Sequence, residues 1–393
     1  MKTPLSGKRI LDLTNVLAGP FCCHQLAHLG ADIIKIEVPG SGDLARQLGQ
    51  DEELSARNMG ISFLAPNPGK RSVTLNLKHD DGKALLKRLV RSADALVENF
   101  RPGVMDRLGV GADVLRQENP RLVYCAISGF GMDDELRKRP AYDQIVQGMA
   151  GAMAITGTPG GDPLRAGWPV ADTVGGLTAA MAVSAALAAE EPGGVIDISM
   201  RDSLMATMGW AVSNYLVGGV EAVPAGNENL TSAPSAAYRC SDQLLYIAAN
   251  KQEQWEILAK HLGLEHLMED PRFKRRADRK ANRVEMNAAV EAVLITRPAA
   301  EWEDELNALG VPAGRVLSLP QALEQARKAG QIAQYTLEGG REAELFRTGI
   351  KIDGEVLDAG GPPPELGEHT DEVLSEVGLS ESEITERRDK GVI

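Results

Sequence analysis

Strand-like and helix-like segments alternate through the first 130 residues of this 393-residue chain. Residues 9–13, 31–37, 72–77, 95–98 and 122–127 read as strands, rich in Ile, Leu and Val. Residues 21–29 and 83–92 read as helices between them. Repetition of this kind implies a parallel sheet with helices on both faces, and ligands in such sheets sit at the carboxyl ends of the strands. After residue 129 comes a loop-rich stretch to Trp168, then a helix following Asp172, then a late strand at 195–200. The Gly-, Pro- and Asn-rich run from Gly218 to Pro234 marks a hinge. Beyond it a strand at 244–249 and amphipathic helices at 255–262, 283–294 and 299–309 read as a smaller domain. A chain of this length exceeds what one compact core usually holds, so two domains are expected.

The formal net charge of −13 makes nucleic acid and anionic membrane poor partners. A phosphate-bearing ligand then needs local basic contacts. The four cysteines, Cys22, Cys23, Cys125 and Cys240, fit neither a zinc pair nor a disulfide framework, so reduced thiols in a cytoplasmic protein are expected. No apolar signal region opens the sequence, and the Ala-rich stretch 177–189 reads as a buried helix rather than a membrane span.

Several residues stand out for chemistry. The turn from Asn15 to Pro20 follows the first strand and precedes a helix, where backbone amides favour anions. Glu37 ends the second strand, where a dinucleotide fold places a ribose-binding acid, but the glycine fingerprint of that fold is absent. Basic residues cluster at Lys70–Arg71, Lys78, Arg101, Arg107 and Arg137 to Arg139, three groups near strand ends. Asp172 precedes a helix. It reads either as an N-cap or as a nucleophile kept ionised by the helix start, with Gly175 and Gly176 leaving room for a substrate. His24 and His28 have helical spacing, but no Glu accompanies them in a metal-binding pattern, so a metal is not expected.

Taken in order, Leu11-Asp12-Leu13 through Ala18-Gly19-Pro20, residues 30–37, Gly40-Ser41-Gly42-Asp43, Gly69 to Val73 with Leu75 to Lys78, Val97 to Gly103, Pro140 to Asp143, Pro169 to Asp172, Val195 to Met200, Gly310 to Gly314 and Leu366 to Thr370 resemble the family III coenzyme A (CoA) transferases. The resemblance implies a Rossmann-like α/β large domain built from both chain ends, residues 1–217 and 326–393, with a smaller α+β domain at 218–325. It also implies an interlocked homodimer. The nucleophilic aspartate maps onto Asp172. CoA contacts map onto Val16, Leu17 and Ala18, onto Leu75, Asn76, Leu77 and Lys78, onto Asn99, Phe100 and Arg101, and onto Arg107 and Arg139. The implied reaction is covalent, through an aspartyl anhydride and an aspartyl-CoA thioester. CoA thioesters are therefore expected as substrates, with no tightly bound cofactor, and a small dicarboxylate is the expected acceptor.

Some positions depart from the family pattern. Val38 stands where members often carry Arg, Asp134-Glu135 replace a Gly-Pro, and Gly226 to Asn229 replace a polyglycine loop, which argues against oxalate–formate exchange. Two alternatives stay open. An α-methylacyl-CoA racemase shares an aspartate in the Asp172 segment but needs a His–Asp pair where this chain has Tyr142-Asp143, and tyrosine is a poor base near neutrality. A non-catalytic CoA-binding protein would keep the basic contacts without needing Asp172.

Overall fold

The computed structural model describes residues 3–393. The chain separates into two compact units. The larger runs to Met153, resumes over Arg165–Val220 and closes with Ala326–Ile393; the smaller takes Ala154–Leu164 and Glu221–Gln325.

The larger unit holds six strands: β1 (Arg9–Asp12), β2 (Asp32–Glu37), β3 (Arg71–Thr74), β4 (Ala95–Glu98), β5 (Val123–Ser128) and β6 (Gly194–Ser199). They form one sheet in the order β3-β2-β1-β4-β5-β6, and every neighbouring pair is parallel. This is the doubly wound order expected of a Rossmann-like fold. Side chains alternate between the two faces of each strand. Ile10, Ile33, Ala95, Val97, Val123 and Cys125 therefore join a cluster on one face, while Leu11, Ile34, Leu96 and Tyr124 join another on the opposite face. The central strands β1, β4 and β5 bury apolar residues on both faces, as a covered parallel sheet requires, while the edge strand β6 is partly exposed.

The first face is covered by helices α1 (Ala18–His28) and α5 (Val170–Leu187). The second is covered by α2 (Asp80–Val90) and by the return segment, whose Val373, Leu374, Ile384, Val392 and Ile393 are buried there. Between α2 and α5 lie α3 (Val104–Leu108) and α4 (Asp143–Met149); α6 (Met200–Thr207) and α7 (Gly209–Gly218) follow β6. Arg71 fastens the return segment at the sheet's other end, pairing with Asp32 at 2.6 Å, Glu372 at 2.9 Å and Glu376 at 2.6 Å.

Helix α5 is the one helix among the described residues long and apolar enough to cross a membrane, by length and composition alone. Its Gly175, Gly176, Ala179, Ala180, Val183 and Leu187 are buried, while Leu177 and Met181 are exposed.

Boundaries differ from the sequence reading for local reasons. Helix α1 begins at Ala18 rather than 21, because Pro20 falls in the first turn, where no amide hydrogen is needed. Strand β3 ends at Thr74 rather than 77, because Asn76 N turns away to donate to Val392 O at 2.8 Å. Helix α4 lies inside the stretch read as loop.

The smaller unit pairs β7 (Ser235–Arg239), β8 (Leu244–Ala248) and β9 (Ala313–Arg315) antiparallel, over a core of Trp255, Met286, Val290, Leu294 and Trp302. Its extent differs from the expected 218–325. It begins at Glu221 and also takes 154–164, whose Gly157 carbonyl accepts from Gly226 N at 2.8 Å.

Candidate active site

Strand order reverses between β1 and β4, where the outgoing loops diverge and open a crevice. Two asparagines meet there. Asn99 Oδ1 accepts from Asn15 N at 2.8 Å, and Asn99 Nδ2 donates to Asn15 O at 2.8 Å. The next residue, Val16, has φ of 67°. A β-branched side chain in the left-handed region is strained by about 1–3 kcal/mol and persists only where surrounding bonds enforce it. Here the Val16 amide donates to Asp43 Oδ1 at 2.9 Å.

Val16, Leu17, Ala18, Asn99, Phe100 and Arg101 all line one cavity of about 240 Å³. Arg139 and Asp172 line it too, together with Asn15, Arg137, Tyr142 and Met200. Most of the residues named from the sequence thus converge on a single hollow at the switch point of the sheet. The three arginines are exposed, while Arg71, Arg201, Arg297 and Arg315 are tied up in ion pairs.

Asp172 sits inside the first turn of α5, not before it. The helix starts at Val170, with Pro169 at its N-cap. The capping role falls instead to Asp143, whose Oδ1 accepts from Ala171 N at 2.8 Å. Asp143 is buried and its Oδ2 accepts from Gln147 Nε2 at 2.6 Å, while Gln147 Oε1 accepts from Ala166 N at 2.9 Å. The expected ionising influence of the helix start is outweighed. Burial pushes the Asp172 carboxyl up to about 7, and the neighbouring Asp143 carboxylate adds to the rise. Glu98, at the end of β4, is likewise raised by burial to about 7, against hydrogen bonds donated by Phe100 N and the Tyr124 hydroxyl.

The glycines after Asp172 do not open space for substrate. A Cβ on Gly176 would stand 2.5 Å from Ala18 O, and one on Gly175 would stand 2.8 Å from Met200 Cγ. Their absent side chains let α5 lie directly against α1 and α6, and Asp172 lines the same cavity as the Leu17–Ala18 turn.

Leu75, Asn76, Leu77 and Lys78 line a second, more apolar cavity of about 490 Å³, with Val38, Leu108 and Gly391. Asn15 and Phe100 belong to both linings, so the two hollows adjoin. Arg107, on α3, lines neither cavity.

Other basic residues flagged in the sequence are consumed internally. Lys70 is buried and donates to Asp12 Oδ2 at 2.8 Å and Pro20 O at 2.9 Å, and Arg71 is held in the ion pairs already described. Glu37 is also no ribose ligand. Both its oxygens bind Arg46 at 2.7 Å, and Oε1 also accepts from Ser72. Among the described residues no group of three or more His, Cys, Asp or Glu is placed to hold a metal ion. Met200 was missed as a site residue from the sequence, while Asn15 was read only as the start of an anion-favouring turn and Tyr142 and Asp143 only as the pair that replaces a racemase's His–Asp. Asp143 lay inside a quoted motif, but its cap on an amide 28 positions later in the chain has no local signature.

Comparison with known proteins bears on the family and the fold. The sequence model of CoA-transferase family III matches residues 5–370. An acetyl-CoA:oxalate CoA-transferase of Acetobacter aceti is 39% identical over 334 residues, covering 84% of this chain and 85% of that protein. A succinate–glutarate CoA-transferase of Agrobacterium fabrum is 34% identical over 392 residues, covering 98% of each. Among solved structures, a CAIB/BAIF family protein from Brucella suis superposes with a TM-score of 0.83 at 32% identity, covering 96% of this chain and all of that one. A parallel sheet in Rossmann order, an aspartate at its switch-point cavity and a family match across nearly the whole chain lead to one assignment: this protein is an enzyme of CoA-transferase family III.

Proposed function

We propose that this enzyme moves CoA from an acyl-CoA donor to a small free dicarboxylate, with Asp172 as the nucleophile. The carrying observation is that Asp172 shares one cavity with Arg101, Arg137 and Arg139 and with the Leu17–Ala18 turn. A carboxylate nucleophile in a cavity that three arginines also line suits substrates that carry phosphates at one end and carboxylates at the other.

In the proposed sequence an Asp172 oxygen attacks the donor thioester carbonyl, the C–S bond breaks, and CoA leaves as thiolate. The thiolate then attacks the aspartyl carbonyl of the mixed anhydride and releases the donor acid as carboxylate. The acceptor carboxylate attacks the aspartyl-CoA thioester, expelling the thiolate again. Finally the thiolate attacks the acceptor's carbonyl, yielding acceptor-CoA and the free Asp172 carboxylate. No net proton is consumed. The energy of the thioester is kept at every step, which splitting one exchange into covalent stages allows. The adjoining apolar hollow at Leu75 to Lys78 is proposed to take the adenine end of CoA. Two relatives whose names state oxalate or succinate and glutarate support a dicarboxylate acceptor. Tyr142 at the cavity, where a racemase needs an imidazole base, favours transfer over racemisation.

The enzyme is also proposed to work as a homodimer. Helix α7 buries none of its residues, and Trp210, Leu216 and Val217 are 83%, 75% and 90% exposed. An apolar surface of this kind calls for a cover.

A panel of acyl-CoA donors and free acids, read by mass spectrometry, tests the reading. New acyl-CoA products are expected with at least one dicarboxylate and absent in Asp172→Asn. Product formation at the wild-type rate by that variant would overturn it.

A further inference from the structure

We propose that Asp43 is a positioning residue for thioester exchange: it holds Val16 in its left-handed conformation and so fixes the Leu17–Ala18 turn against the cavity that contains Asp172. The inference rests on the function proposed above, and it concerns a residue that lines neither cavity.

Left alone, a valine returns to negative φ, which would swing the following peptide and move the start of α1. The loop is pinned from three sides. Lys35 Nζ donates to Thr14 O at 2.8 Å, the Asn99 amide grips Asn15 at both its amide and its carbonyl, and Asp43 Oδ1 accepts from Val16 N at 2.9 Å. Of these only Asp43 acts on the strained residue itself.

Asp43 is in turn immobilised. It is 1% exposed. Its Oδ1 also accepts from Ala45 N at 2.9 Å, and its Oδ2 lies 3.0 Å from Lys35 Nζ. Its own amide donates to Glu37 Oε2 at 2.9 Å, and that glutamate is clamped by Arg46. One buried ammonium, that of Lys35, therefore donates to the carbonyl of Thr14 and ion-pairs with the carboxylate that restrains Val16. A carboxylate suits the place because both its oxygens only accept: one faces two amides, the other faces an ammonium. An asparagine would turn an N–H₂ toward one or the other.

The test uses the full-length enzyme. Asp43→Ala is expected to lower kcat about 30- to 100-fold while KM for acyl-CoA moves less than about threefold, as a misplaced turn near reacting atoms would do. Glycine adopts a φ of 67° unaided, so adding Val16→Gly to that variant should return at least about tenfold of the lost kcat. Hydrogen exchange at the Val16 amide should quicken at least about tenfold in Asp43→Ala. Where the alanine variant does not fold, Asp43→Asn, with nearly the same volume, carries the same three readouts. A kcat within twofold of wild type, no rescue by the glycine, or unchanged amide exchange would each overturn the proposal. Wild-type protein that exchanges no thioester with any donor would instead sink the functional reading, and the amide-exchange arm would then decide the role of Asp43 by itself.

Discussion

At the level of single residues, the most consequential fact is that Asp172 is raised to about 7. A carboxylate attacks and a carboxylic acid does not, so the transfer rate is expected to climb with pH through about 7 and level off above it. Glu98 titrates in the same range, and Glu98→Gln separates the two: the midpoint should stay where it is if Asp172 sets it. Stability carries the same signature with a definite sign. The folded chain keeps the Asp172 proton up to about 7, while the unfolded chain releases it near 4. Between those values the folded form binds more protons, so this group's contribution to stability falls as pH rises. Asp172→Asn lacks that loss, and its melting temperature should gain on wild type between pH 5 and pH 8. Asp143→Ala removes the cap on α5 and should cost about 1 kcal/mol, read by thermal unfolding. The importance of Asp172 was legible from its motif, but its place within the helix was not. A cap supplied by Asp143 from another element leaves no trace in the residues next to Asp172.

Among the elements, the contact between α1 and α5 governs the geometry of the site. The glycine pair after Asp172 permits it: at Gly176 even a methyl group would meet the Ala18 carbonyl. Gly176→Ala is therefore expected to destabilise by about 1–3 kcal/mol and to depress kcat, because α5 must shift and carry Asp172 with it. Unfolding in urea and steady-state kinetics check the two parts, and an unchanged kcat would show that Asp172 is placed by something else. The central strands were readable because β1, β2, β4 and β5 are short apolar runs buried on both faces. Their ends were less so, since Asn76 leaves the sheet for a partner at Val392 that only the fold brings near. The seven-residue α4 was hidden by its neighbours, the turn-rich residues on either side of it.

At the scale of the whole molecule, the exposed apolar helix α7 is the feature that a single chain leaves unexplained. The homodimer proposal predicts a sedimenting species of twice 42.0 kDa. Trp210→Asp with Val217→Asp should reduce it to the single chain; a wild-type monomer at micromolar concentration would contradict the proposal. The Rossmann-like class and the joining of both chain ends in one large unit were expected from the ordered set of motifs rather than from any one of them, whereas the order of the strands came only with the structure. The segment 154–164 joined the smaller unit without a sequence signal, since its tie is a backbone hydrogen bond, which any residue type can make. The −13 net charge, by contrast, spoke about partners and not about the fold.

The covalent route is tested most directly by stopping turnover with an acyl-CoA donor alone and mapping the peptide that retains CoA. Mass added to the peptide containing Asp172, and lost again when a dicarboxylate is supplied, is the predicted result. CoA retained on a different peptide, or none retained while exchange proceeds at full rate, would contradict the role given to Asp172.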